Sequence, residues 1–92
     1  MRMADLIREK IAAALDPERI EVVDESHLHV GHAGARLEGE THFRVTVVAS
    51  SFAGLSRMER QRRIYAILAE EMRERIHALG LTTLTPQEAE RQ

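Results

Sequence analysis

Ninety-two residues with a formal charge of -2, 43% hydrophobic residues and no cysteine make one small domain held by packing alone, and exclude a disulfide framework. With only 3% aromatic residues, the interior has to be aliphatic. The weakly acidic balance excludes a global attraction to nucleic acid or to an anionic membrane. The charged first stretch lacks the apolar core of a signal peptide, and no run approaches the roughly 20 apolar residues that span a bilayer. The chain therefore reads as cytoplasmic, with no membrane partner.

From Ala4 to Leu15 the residues Leu6, Ile7, Ile11, Ala14 and Leu15 recur at helical spacing, with Arg8, Glu9 and Lys10 turned outward. Asp16-Pro17 ends this helix, because proline biases the residue before it away from the helical region. Ile20 to Val23 is a β-branched run that predicts a strand. The stretch from Ser26 to Glu40 is small, dotted with glycine and without period, and it carries His27, His29 and His32; loops of this length in a small domain are usually functional or mobile.

Thr41 to Val48 alternates, with Phe43, Val45 and Val47 on one face and His42, Arg44 and Thr46 on the other. Its predicted partner is Ile20 to Glu25. Ser56-Arg57-Met58-Glu59 has capping-box spacing, and a long helix to about Arg75 follows, its buried stripe formed by Ile64, Ile67, Leu68 and Met72. Ile76 to Thr82 predicts a third strand, Pro86 closes a domain spanning 1–86, and 87–92 reads as a polar tail, either a short helical turn or frayed. The order helix, strand, strand, helix, strand gives an α+β domain with helices on one face of a three-stranded mixed sheet.

Neutral imidazole is the commonest metal ligand, so the histidines are the first candidates for chemistry. His27, His29 and His32 fit no closed zinc pattern and no helical H-E-x-x-H site, and by spacing alone they read as solvated. His77 differs: it opens a predicted strand after a helix, where it either serves as a ligand or hydrogen-bonds at the strand edge. Asp24-Glu25 and Glu70-Glu71 read as solvated charge, since neighbours on a strand diverge and the helical pair lies on an exposed flank. No nucleophile, triad or phosphate-cradling glycine loop is visible, so the chain reads as non-enzymatic, with no small-molecule substrate. Arg57, Arg60, Arg62 and Arg63 make the start of the long helix locally basic. A solvated face is the plainer reading, and phosphate contacts of the kind a DNA-binding helix makes are the alternative.

Several blocks, in order, resemble the BolA family. They are Asp24-Glu25-Ser26 leading into the histidine stretch, Gly39-Glu40-Thr41-His42-Phe43-Arg44-Val45, Phe52-Ala53-Gly54-Leu55-Ser56 with Arg60 and Arg62, and Ile76-His77-Ala78-Leu79 followed by Thr85-Pro86. The resemblance implies a fold similar to a class II KH domain. It also implies a monothiol glutaredoxin partner, with a shared [2Fe-2S] cluster or an apo complex, in iron-sulfur trafficking or iron regulation. DNA-binding transcriptional regulation, in stress response and cell morphology, is its second theme.

Carried over residue by residue, His77 matches the family's C-terminal ligand histidine. His29 matches the loop ligand that is Cys or His in members, with His32 as a competing loop ligand; His42 matches a frequent family residue. Arg60-Gln61-Arg62 stands where many members have Arg-His-Arg, which removes a ring from the helix that the DNA reading uses, namely that of Arg57, Arg60, Arg62 and Arg63. The implied thiolates come from the partner and glutathione, since this chain has none, and no cofactor is expected in the isolated protein. Mixed imidazole and thiolate ligation of this kind resembles that of Rieske clusters.

Overall fold

The computed structural model describes residues 1–26 and 41–91. The first helix, α1 (Met3–Leu15), buries Met3, Ile7 and Ile11 at the predicted helical spacing. It stops at Asp16, whose φ of 45° is left-handed and whose N–H still bonds to Ala12 O; aspartate is among the few residues that tolerate this conformation.

Strand β1 (Arg19–Asp24) pairs antiparallel with β2 (His42–Val48), Val22 opposite Val45. Strand β3 (Ala78–Leu84) lies parallel to β2 on its other side, His42 opposite Ala78, so the sheet order is β1-β2-β3. Phe43, Val45 and Val47 line the face that packs on α1, as alternation predicts. The mixed three-stranded sheet with its helices on one face is the architecture read from the sequence.

Two elements differ from expectation. The long helix is divided into α2 (Arg57–Ile67) and α3 (Ala69–Glu74) at Leu68, whose side chain is wholly buried. Past this reset Glu71 faces α1 and is only 6% exposed, so the reading of Glu70-Glu71 as a solvated pair is wrong for Glu71: Lys10 Nζ lies 2.9 Å from both of its carboxylate oxygens. The third strand begins two residues later than predicted, because Ile76 still serves the helix end, donating its N–H to Glu71 O at 2.8 Å while its side chain enters the core.

Beyond Thr85 the chain forms α4 (Pro86–Glu90), with proline in the first turn, where its missing N–H costs nothing. Thr85 and Glu88 make a reciprocal capping box there, as Ser56 and Glu59 do at α2. No helix among the described residues is long and apolar enough to cross a membrane.

Candidate functional site

The N-terminal end of β3 is organised by a buried hydroxyl. Ser26 Oγ accepts from Thr41 N at 2.9 Å and from His42 N at 3.0 Å, and Ser26 N donates to Asp24 Oδ1 at 2.9 Å. Ser26 and Thr41 are 1% and 2% exposed, so the two flanks of the 27–40 stretch are pinned to each other in the protein interior. The carboxylates of Asp24 and Glu25, read as solvated, both have structural roles: Glu25 accepts from Arg44 Nε at 3.1 Å.

His77 roots at the same point. Its N–H donates to Thr41 O at 2.7 Å, and Ala78 N reaches the same carbonyl at 3.2 Å. The His77 backbone is therefore fixed while the residue itself is exposed. Read from the sequence as the residue that opens the third strand, His77 lies one residue ahead of β3, and the parallel register sets it beside the start of the second strand. His27, His29 and His32 lie outside the described residues.

The structure adds a ring that sequence reasoning left aside. His42 is only 5% exposed although it belongs to the polar face of β2, and its ring centroid is 5.1 Å from that of His77 at an interplanar angle of 47°. Its Nδ1 lies 2.9 Å from Thr41 Oγ1, which fixes the ring. The signal was present: once the third strand runs parallel beside the second, His42 and the residue before Ala78 must meet. Among the described residues no group of three or more His, Cys, Asp or Glu side chains converges as a metal site, so any ligand set built on His77 needs donors from elsewhere.

The arginines predicted as a basic helix face separate into two kinds. Arg57, Arg62 and Arg63 are exposed on α2. Arg60 is not available to a phosphate backbone: at 9% exposure it donates from Nε to Leu55 O (3.0 Å), from Nη1 to Thr83 O (3.1 Å) and to Glu88 Oε1 (2.6 Å), over the ring of Phe52. It fills the joint between α2, β3 and α4, a buried guanidinium satisfied on several sides as burial requires. Arg60 and then the Thr85 N–H hold the Glu88 carboxyl at about 2, far below its usual 4.5. The Thr85-x-x-Glu88 spacing marks a helix start in the sequence, though not the contact of Glu88 with Arg60.

These features describe a small α+β, KH-like binding domain that presents an imidazole at one end of its sheet, with no catalytic constellation apparent in its sequence. The BolA-like protein family model matches residues 11–88. The DNA-binding transcriptional regulator BolA of Escherichia coli is 43% identical over 90 residues, which cover 98% of this chain and 82% of that protein. Human BolA-like protein 1 is 46% identical over 80 residues, covering 87% of this chain and 56% of the human one. The solved structure of BolA1 from Arabidopsis thaliana superposes with a TM-score of 0.84 at 33% identity over 96% of both chains. The chain belongs to the BolA family. Proteins of this family are non-enzymatic regulators and adaptors.

Proposed function

We propose that this protein is a cytoplasmic adaptor that binds a monothiol glutaredoxin and shares a [2Fe-2S] cluster with it, in iron-sulfur trafficking or iron regulation. His77 is the fixed ligand, and His29 from the 27–40 stretch is the second, with His32 as its competitor. The observation that carries the reading is the exposed His77, locked through its N–H to Thr41 O beside the pinned flanks of that stretch.

The donor chemistry fits the group. A chain with imidazoles and no thiolate supplies half of a mixed ligand set and depends on a partner cysteine and glutathione for the other half. When bound, such a cluster supplies electron-transfer or transferable iron-sulfur chemistry. This chain's own part is to hold and orient imidazoles. His42 packs its ring beside that of His77 at one edge of the site. Imidazole also regains a proton near pH 6.5, so ligation through histidine is more easily released than ligation through thiolate.

The test is to mix the protein with a monothiol glutaredoxin, glutathione, iron and sulfide and to record visible circular dichroism. The bands of the mixture are expected to differ from those of glutaredoxin alone and to lose that difference in His77→Ala. An unchanged spectrum in the variant refutes the ligand role.

A second reading, DNA-binding regulation, is favoured by the exposure of Arg57, Arg62 and Arg63 on a single helix and by the name of the E. coli relative. Three phosphate contacts give a log-log salt slope of about -3. A flat response to salt, or no binding to duplex DNA at low salt, excludes it.

A further inference from the structure

At the opposite end of β3 from His77 lies a groove of about 720 Å³, within the size range of small-molecule sites. Its charged lining is Arg57 from the start of α2, Arg60, Glu88 from α4, and Arg91 just beyond α4. The charges do not cancel. Glu88 Oε1 accepts from Arg60 Nη1 at 2.6 Å and from Thr85 N at 2.8 Å, and Oε2 lies 3.3 Å from Arg60 Nη2, so this carboxylate and Arg60 neutralise each other. Arg57 and Arg91 form no ion pair among the described residues. Among the described residues, two guanidiniums without an ion-pair partner therefore line one concavity.

The wall between them is polar. Thr82 and Thr83 both line it, and Thr83 Oγ1 is buried with no hydrogen-bond partner among the described residues. Buried polar atoms are satisfied in the great majority of cases, and an unsatisfied one calls for an explanation such as an ordered water. The remaining lining, Leu55 and Leu84, is apolar, which suits an organic body better than a bare inorganic ion.

We propose that this groove binds a small organic phosphate, with Arg57 and Arg91 pairing with the phosphate oxygens and Leu55 and Leu84 packing against the carbon skeleton. A phosphate monoester carries close to two negative charges at neutral pH, the complement of the two unpaired guanidiniums, and guanidinium forks match phosphate geometry. The Arg60–Glu88 pair sets the shape of the groove without adding net charge. This site lies on a different part of the fold from His77 and is independent of the glutaredoxin reading.

The experiment is a titration of the full ¹⁵N-labelled chain, in low-salt buffer without phosphate, with adenosine 5′-monophosphate, inorganic phosphate and adenosine, followed by amide shifts. Saturable shifts are expected at Arg57, at Thr82 to Leu84 and at Arg91. The nucleotide should bind more tightly than either phosphate or adenosine. Arg57→Ala and Arg91→Ala should each weaken it roughly tenfold or more, the loss of one charge-assisted contact, with the rest of the spectrum unchanged, while His77→Ala leaves the binding as it was. No saturable shift at millimolar nucleotide overturns the proposal, as does equal binding of adenosine, retention of affinity in the doubly substituted chain, or a response to duplex DNA alone.

Discussion

The two ends of β3 treat polar side chains in opposite ways. Where the strand ends, Arg60 is buried, its hydrogen bonds go to two backbone carbonyls and a carboxylate, and it joins α2, β3 and α4. Where the strand begins, the backbone is equally well tied, through Ser26, Thr41 and the His77 N–H, but the His77 imidazole makes no hydrogen bond among the described residues. One end uses its polar group to complete the fold. The other uses the fold to hold out a polar group. A residue's chemistry does not tell these apart; whether its donors and acceptors are already satisfied does.

The largest effect on stability is therefore expected at the closed end. Arg60→Ala leaves the Thr83 and Leu55 carbonyls without their donor and opens a cavity over Phe52, a loss of roughly 2–4 kcal/mol. For a domain of this size that is a fall in Tm of about 10–25 °C. Thermal unfolding by circular dichroism measures it. Arg60→Lys should recover only a minority of the loss, because one ammonium cannot reach two carbonyls and both carboxylate oxygens. A variant within about 0.5 kcal/mol of the parent would show that the joint is held by its apolar contacts alone.

Acid separates the ends next. Glu88 is held at about 2 by Arg60 and the Thr85 N–H, against 4.5 unfolded. At Glu71, burial is the largest single influence and raises the carboxyl, but the Lys10 hydrogen bond, a backbone hydrogen bond and the Lys10 charge together outweigh it, so the net position is below 4.5. Both groups are depressed in the folded state, so both contribute stability that is fully present above about pH 4.5 and disappears as pH falls through the folded values. Stability should decline from pH 4.5 towards pH 2. Glu88→Gln should flatten that decline, whereas His77→Ala should leave it unchanged. Urea midpoints measured across this window decide the matter, and an identical slope in Glu88→Gln would remove Glu88 from the account.

Most of the frame was legible in the sequence because it rests on local periodicity. The stripe Ile7 and Ile11, the alternation of Phe43, Val45 and Val47, and the Ser56 capping box are each written within a few residues. The parallel placement of the third strand followed from its long helical connection. What escaped depends on contacts distant in sequence. Lys10 meets Glu71 across 61 positions and Arg60 meets Glu88 across 28, and neither burial has a local signature beyond charge, which by itself reads as solvent. Thr85-Pro86-Gln87-Glu88 carried a helix-start pattern, with proline favoured in a first turn, and of the two readings of the tail, helical turn or frayed, the structure shows the turn. The candidate site was legible only in part: His77 lies just ahead of the third strand rather than opening it, and the proximity of His42 needed the strand register.

A smaller effect of opposite sign is expected from Thr83→Val. The Thr83 residue is 7% exposed and its hydroxyl has no partner among the described residues, so replacing it with a methyl group of similar volume removes a buried polar penalty. The gain should be about 1 kcal/mol, read as a Tm rise of roughly 4–8 °C. A loss of stability would mean that the hydroxyl is satisfied in solution.

The smallest change in stability, and the one that sharpens the contrast most, is expected from His77→Ala. The side chain it removes is exposed and has no hydrogen bond among the described residues, while the N–H that anchors the turn to Thr41 O belongs to the backbone and survives the substitution. Losing the ring contact with His42 should cost no more than about 0.5 kcal/mol. If the midpoint of urea unfolding stays within that margin while the glutaredoxin-dependent spectrum is lost, the imidazole is free for a partner in the way that the guanidinium of Arg60 is not. A destabilisation comparable to that of Arg60→Ala would instead make His77 a second structural joint, and the two ends of β3 would no longer differ in kind.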